Sequence, residues 1–223
     1  MVLLMLLCQA LPAVGLRVAT FNIETNRNEQ GWPNFALGAP GGVDFDSVAA
    51  ILGRIDADVV ALQEVHTSDL TGSPSEVEQL ATALGLSHIH AGSNSGNFDT
   101  SLRVVFLSRY PFTSTASIFS PAGAKEISRH CPAVVVDVPG TDADPLMISA
   151  HLKSGTGSDD RFRRAIEMRR LTGYLAAAGL QASDNFIVLG DFNPSGTNRT
   201  FTTLPSGLPT TYSLGNDVLL PVE

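Results

Sequence analysis

The chain has 223 residues, 43% of them apolar and 16% charged, which suits one domain with a substantial core and excludes a disordered chain. Lys and Arg number 14 against 22 Asp and Glu, a formal net charge of -8. That balance argues against a broad basic surface for nucleic acid, but not against a site holding one phosphate beside a divalent cation.

Residues 1–15 begin with an apolar run, Val2 to Cys8, followed by Gln-Ala-Leu-Pro-Ala-Val-Gly. The pattern is that of a signal peptide's apolar and cleavage regions, although no Lys or Arg precedes it. A secreted or periplasmic protein is expected, with a cytoplasmic one as the alternative. The run is too short to span a bilayer, so no stable membrane span is expected. Cleavage would remove Cys8 and leave Cys131 with no disulfide partner. Cys131 lies in an apolar run to Val138 and reads as a core residue rather than a nucleophile. Residues 16–223 read as one domain, expected to be a monomer.

Leu16–Ile23 reads as the first strand, with Asn22 near its carboxyl end. Residues 24–42, rich in Asn, Gly and Pro, form a long loop carrying Trp32 and Phe35. Val48, Ile51, Leu52 and Ile55 fall at helical spacing after Asp44 and Asp46, either of which can cap. Asp58–Val65 is a strand that places Glu64 near its end. Ser73, Pro74 and Glu76 have the spacing of a cap, an N1 proline and a capping-box glutamate, ahead of a helix that Gly85 stops. Ser87–Ala91 reads as a short strand and residues 92–100 as a polar loop. Four strands are then expected: Arg103–Leu107, Thr113–Phe119, Pro132–Val138 and Leu146–His151. Ser158–Gly179 is the longest helix, with Phe162, Ala165, Ile166, Leu171, Tyr174, Leu175 and Ala178 on its apolar side and five arginines interleaved. Phe186–Leu189 is a buried strand released by Gly190, with Asp191 and Asn193 following at i and i+2. The tail holds one further candidate strand, Val218–Val222. Too many strands lack crossover helices for a Rossmann-type sheet, so a mixed-sheet α/β sandwich is expected.

Asn22, Glu64, His151, Asp191 and Asn193 all stand at or just past the ends of apolar strands. Such an oxygen-rich set with one imidazole suits Mg²⁺, with Mn²⁺ or Ca²⁺ as alternatives, rather than structural zinc. In such a set a bound cation offsets charge building on an oxyanion, and a nearby carboxylate can take or orient the proton of an attacking water.

Four motifs, Val18-Ala-Thr-Phe-Asn-Ile23, Asp58-Val-Val-Ala-Leu-Gln-Glu-Val65, Ala150-His-Leu-Lys-Ser154 and Val188-Leu-Gly-Asp-Phe-Asn193, carry a specific resemblance. In order and spacing they resemble the endonuclease/exonuclease/phosphatase superfamily, over Leu16 to about Phe201. The resemblance implies a DNase I-like α/β sandwich of two mixed sheets flanked by helices. It implies Glu64 as the principal metal ligand, assisted by Asn22, and His151 as the residue that binds the scissile phosphate or stabilises charge on it. Asp191 and Asn193 correspond to the pair beside the attacking water. Arg129, and more weakly Arg103, fall where family members contact substrate phosphate. The family also closes with a Ser-Asp-His motif, whose aspartate and histidine form a general-base dyad. Here no histidine follows His151, and the acidic residues after Asn193 are Asp217 and Glu223. A domain incomplete at its C-terminus is therefore expected, either a fragment or a truncated product of low activity. The implied function is a divalent-metal-dependent phosphoester hydrolase, in full-length form an endonuclease/exonuclease-type phosphodiesterase acting on DNA or RNA. The alternatives are a secreted sphingomyelinase-like or small-molecule phosphodiesterase, and a catalytically inactive truncated homologue acting as a binding protein.

Overall fold

The structure, a computed structural model, describes residues 15–23, 25–27, 33–34, 37–93, 101–120, 127–141, 144–181, 183–194, 199–203, 209–214 and 220–221. The expected signal segment up to residue 14, with Cys8, lies outside the described residues, as do Trp32 and Phe35.

The elements in chain order are β1 (Val18–Asn22), β2 (Thr25–Arg27), β3 (Pro33–Asn34), α1 (Val43–Ile55), β4 (Val59–His66), α2 (Glu76–Leu84) and β5 (His88–Ala91). They continue with β6 (Leu102–Ser108), β7 (Phe112–Ile118), β8 (Cys131–Val136), β9 (Leu146–His151), α3 (Ser158–Ala177) and β10 (Phe186–Asp191). The last are β11 (Arg199–Thr203), β12 (Pro209–Leu214) and β13 (Leu220–Pro221). Two four-stranded sheets result, ordered β1-β4-β6-β5 and β10-β9-β8-β7. Each is mixed in the same way. β1 and β4 are parallel, as are β9 and β10, because a helix (α1 or α3) crosses between them; the remaining pairs are antiparallel. This is the DNase I-like sandwich that the motifs imply.

Strand alternation assigns each side chain to a layer. Val18, Val59, Ala61, Phe106, Val134, Met147, Ile187 and Leu189 fill the space between the sheets. The opposite faces take Val60, Leu62 and Val105 against α1 and α2, and Ile148, Ala150 and Val188 against α3. Toward the carboxyl ends of β1, β4 and β9 the inter-sheet layer turns polar. There the Thr20 hydroxyl donates to Gln63 Oε1 (3.1 Å), and Gln63 Nε2 donates across the sandwich to Ser149 Oγ (3.1 Å).

Several expectations are corrected. Neither Asp44 nor Asp46 caps α1: its N-cap is Gly42, and both aspartates sit in the first turn, where they still favour the helix dipole. The capping box of α2 is Ser75 with Glu78, at 3.2 and 2.7 Å, rather than Ser73 with Glu76. On α3, Phe162 is 52% exposed while Arg164 and Glu167 are buried, so the buried face is rotated from the apolar stripe. The long first loop contains the β2–β3 ribbon, and the tail forms the antiparallel β11-β12-β13 sheet where one strand was expected. Among the described residues, no helix is long and apolar enough to cross a membrane.

Candidate active site

The inter-sheet stripe continues upward from Val18, Thr20 to Asn22 on β1, from Met147, Ser149 to His151 on β9, and from Ile187, Leu189 to Asp191 on β10. Strand period alone aims these three side chains into one space. Glu64 breaks the period. By alternation it would follow Val60 and Leu62 toward the helices, but β4 carries a β-bulge between Leu62 and Val65, whose partners on β6 are Val105 and Arg103. Glu64 itself takes φ 62. The extra residue lets Val65 resume the helix-facing layer and turns the Glu64 carboxylate to the end of the sandwich. A left-handed conformation in a residue with a side chain costs of order 1–3 kcal/mol, and its product here is the convergence of four strands.

Asn22 Nδ2 donates to Glu64 Oε1 at 3.0 Å and to Asp191 Oδ2 at 3.1 Å. His151 Nε2 lies 3.4 Å from the same Glu64 oxygen and 3.7 Å from the same Asp191 oxygen. Glu64, His151 and Asp191 each offer one ligand atom, all within 4.8 Å of one another. Glu64 and His151 are buried, 9% and 1% exposed, and Asp191 is partly so. Two carboxylates brought this close repel, and a divalent cation relieves that repulsion best. Hard oxygen donors plus one imidazole fit such an ion. The set is a candidate divalent-metal cluster, with Asn22 presenting its amide nitrogen as the bracket between the two acids.

The structure brings four of the seven expected site residues, Asn22, Glu64, His151 and Asp191, into direct contact. Asn193 joins differently. With φ 45 it leaves the strand path, its N–H donates to Asp191 Oδ1 (3.0 Å), and its Nδ2 donates to the Leu152 carbonyl (2.9 Å). It therefore locks Asp191 to the segment after His151 instead of repeating Asp191's direction. Arg103 lies near the start of β6, opposite Val65 and 9% exposed. Arg129 is half-buried just before β8.

Gly190 permits this assembly. A Cβ there would lie 1.9 Å from the Ala150 carbonyl oxygen, and φ is +129. Sequence reasoning missed Gln63, Ser149, Arg164 and Glu167. Gln63 could have been found from strand period, being polar at an inter-sheet position; the two α3 residues gave no such signal amid that helix's other charges. Cys131 is free and buried, and burial pushes its thiol up to about 12, which suits a core residue and not a nucleophile.

Residues 19–212 match the family model for the endonuclease/exonuclease/phosphatase family, and the chain belongs to that family. Its structure is similar to an endonuclease/exonuclease/phosphatase from Beutenbergia cavernae DSM 12333, at 25% identity and TM-score 0.60, over 85% of this chain and 49% of that one. It is similar in fold to sphingomyelinase C from Streptomyces griseocarneus, at 20% identity and TM-score 0.54, over 80% of this chain and 64% of that one. The same holds for the human Nocturnin catalytic domain with bound sulfate, at 17% identity and TM-score 0.57, over 82% and 65%. The chain thus spans about half the length of the Beutenbergia cavernae protein, 49%. No curated protein matches it in sequence.

Proposed function

We propose that this site hydrolyses phosphodiesters with the help of a divalent cation, as an endonuclease/exonuclease-type phosphodiesterase. The observation that carries this reading is the convergence of Glu64, His151 and Asp191 within 4.8 Å, bracketed by Asn22. Glu64 and Asp191 would hold the cation, with Mg²⁺ the expected ion and Mn²⁺ a substitute. When bound, it would offset the negative charge that builds on the phosphoryl oxygens.

The residues of the chain supply the rest. His151, fixed by packing and aimed at both carboxylates, holds a non-bridging oxygen or the proton shared with them. Asp191, the more exposed of the two acids, takes or orients the proton of the attacking water. Asn193 keeps Asp191 from turning away, through its N–H on Oδ1. Arg129 and Arg103 are the candidates for the outer phosphate oxygens, since a guanidinium matches two of them at once.

A second reading, a small-molecule or lipid phosphodiester as substrate, draws on the net charge of -8, which disfavours a long polyanion. A panel of bis-p-nitrophenyl phosphate, plasmid DNA, RNA and sphingomyelin, each with Mg²⁺ and with EDTA, separates the readings. EDTA-sensitive turnover that Asp191→Ala abolishes supports the hydrolase. Metal binding without turnover on any of the four supports a binding protein instead. Export rests on residues 1–15 alone and is tested by N-terminal sequencing of protein recovered from the medium.

A further inference from the structure

The flank of the site facing α3 is built by two buried ions. Arg164, 0% exposed, donates from Nη1 to the carbonyls of Lys153 (2.7 Å) and Gly155 (2.8 Å). Almost one turn later Glu167, 1% exposed, accepts the Ser128 N–H at Oε1 (2.8 Å) and the Lys153 N–H at Oε2 (2.7 Å). The backbone of Lys153 is thus held at both its N–H and its carbonyl. Lys153 lies two residues after His151, and Ser128 one residue before Arg129. One carboxylate therefore ties the segment leaving β9 to the segment leading into β8. From the other side, Leu152 donates to the Asp191 carbonyl (2.9 Å) and accepts from Asn193.

Burying two ions on a helix carries a desolvation penalty that an apolar pair would avoid, and stability alone does not account for it. Burial raises the Glu167 carboxyl above its ordinary range, while the two N–H groups and the nearby Arg129 charge pull it back toward ionisation. Both oxygens are needed as acceptors. A glutamine has only one acceptor oxygen, so its NH₂ would be set against one of the two backbone N–H groups.

We propose that Glu167, assisted by Arg164, is a positioning residue for the phosphate-holding half of the site. It fixes the segments carrying His151 and Arg129 relative to one another, whereas the two carboxylates that would hold the cation are placed by other groups, Glu64 by the bulge in β4 and Asp191 by Asn22 and Asn193. The proposal rests on the phosphodiesterase reading and adds to it the residue that places the phosphate-holding side chains.

The test is titration of the metal-stripped chain with Mn²⁺ alone, and then with inorganic phosphate at saturating Mn²⁺, for wild type and Glu167→Gln. Expected is Mn²⁺ affinity within about threefold of wild type, with phosphate affinity lowered about 10–100-fold, the factor that loss of one hydrogen bond to a charged group carries. Hydrogen exchange at the Ser128 and Lys153 amides should also accelerate. Unchanged phosphate affinity in folded Glu167→Gln overturns the proposal. So does a parallel loss of both affinities in step with a lowered melting temperature, which marks a merely structural role. If Glu167→Gln does not fold, Glu167→Asp carries the same test: it keeps the charge but, one methylene shorter, reaches one amide at a time. A wild-type chain that binds neither ion contradicts the site reading itself and the proposal with it. A wild type that binds both, with the variants indistinguishable from it, contradicts the proposal alone.

Discussion

Asn22 contributes a single nitrogen to two acids of opposite sheets, and its loss would remove the amide that bridges Glu64 and Asp191. Asn22→Ala is expected to weaken Mn²⁺ binding about 10–100-fold while leaving the fold intact, as judged by calorimetry beside circular dichroism. His130 provides a test of burial. It is 3% exposed, and burial together with the charge of Arg103 lowers its pKa. Its folded pKa lies below the unfolded value of about 6.5, so the unfolded chain binds the proton first as the solution is acidified. The stability it permits is full above the unfolded value and is lost as pH falls through the folded one. Urea midpoints compared at neutral and mildly acid pH should fall less on acidification in His130→Phe than in wild type; equal falls would count against the burial argument. Cys131 should resist iodoacetamide in the native chain and react only after unfolding, by peptide mapping. At this scale the sequence was most informative where strand period governs. Asn22, His151 and Asp191 were legible because each ends an apolar run. Glu64 was legible by motif, although simple alternation would have turned it the wrong way.

Elements explain why the rest was harder to read. A bulge adds one residue, and nothing in Leu62-Gln-Glu-Val65 announces which residue that is until β6 is paired beside β4. Asn193 does not share Asp191's direction for a related reason: the strand stops at Asp191 and the backbone turns left-handed at Asn193. On α3 the helix itself was evident, but its buried face holds Arg164 and Glu167, because the neighbours there are loop peptides and not apolar side chains. The caps of α1 and α2 lie two or more residues from the expected ones, at Gly42 and Ser75, because local geometry decides helix ends. Two predictions belong here. Gly190→Ala would push a methyl into the Ala150 carbonyl in the parallel β9–β10 pair and should destabilise by at least about 3 kcal/mol in urea unfolding. A loss of a few tenths of that would show that β10 can shift. Gln63→Leu removes the polar rung between Thr20 and Ser149 and should cost about 1–3 kcal/mol, most of it recovered when those two are replaced by Val and Ala.

Across the whole molecule, the sandwich places its driest layer at one end of the inter-sheet space and its charged cluster at the other, with the Gln63 rung between them. The two halves meet along β1 and β10, and Asn22 and Asp191 end those strands. Stability and metal occupancy are therefore coupled, since a cation that binds the folded site and not the unfolded chain stabilises by mass action. At a free-metal concentration a hundred times Kd the gain is about 2.7 kcal/mol, or roughly 5–11 °C in Tm for a domain this size. Differential scanning fluorimetry with and without Mn²⁺ should show that rise in wild type and little of it in Asp191→Asn. The most direct measurement is the stoichiometry and affinity of Mn²⁺ binding, by electron paramagnetic resonance, to the metal-free chain and to Glu64→Gln. One ion per chain in wild type, with binding weakened at least about 10-fold in the variant, is the predicted result. No bound ion in wild type, or an ion retained undiminished without the Glu64 carboxylate, would contradict it.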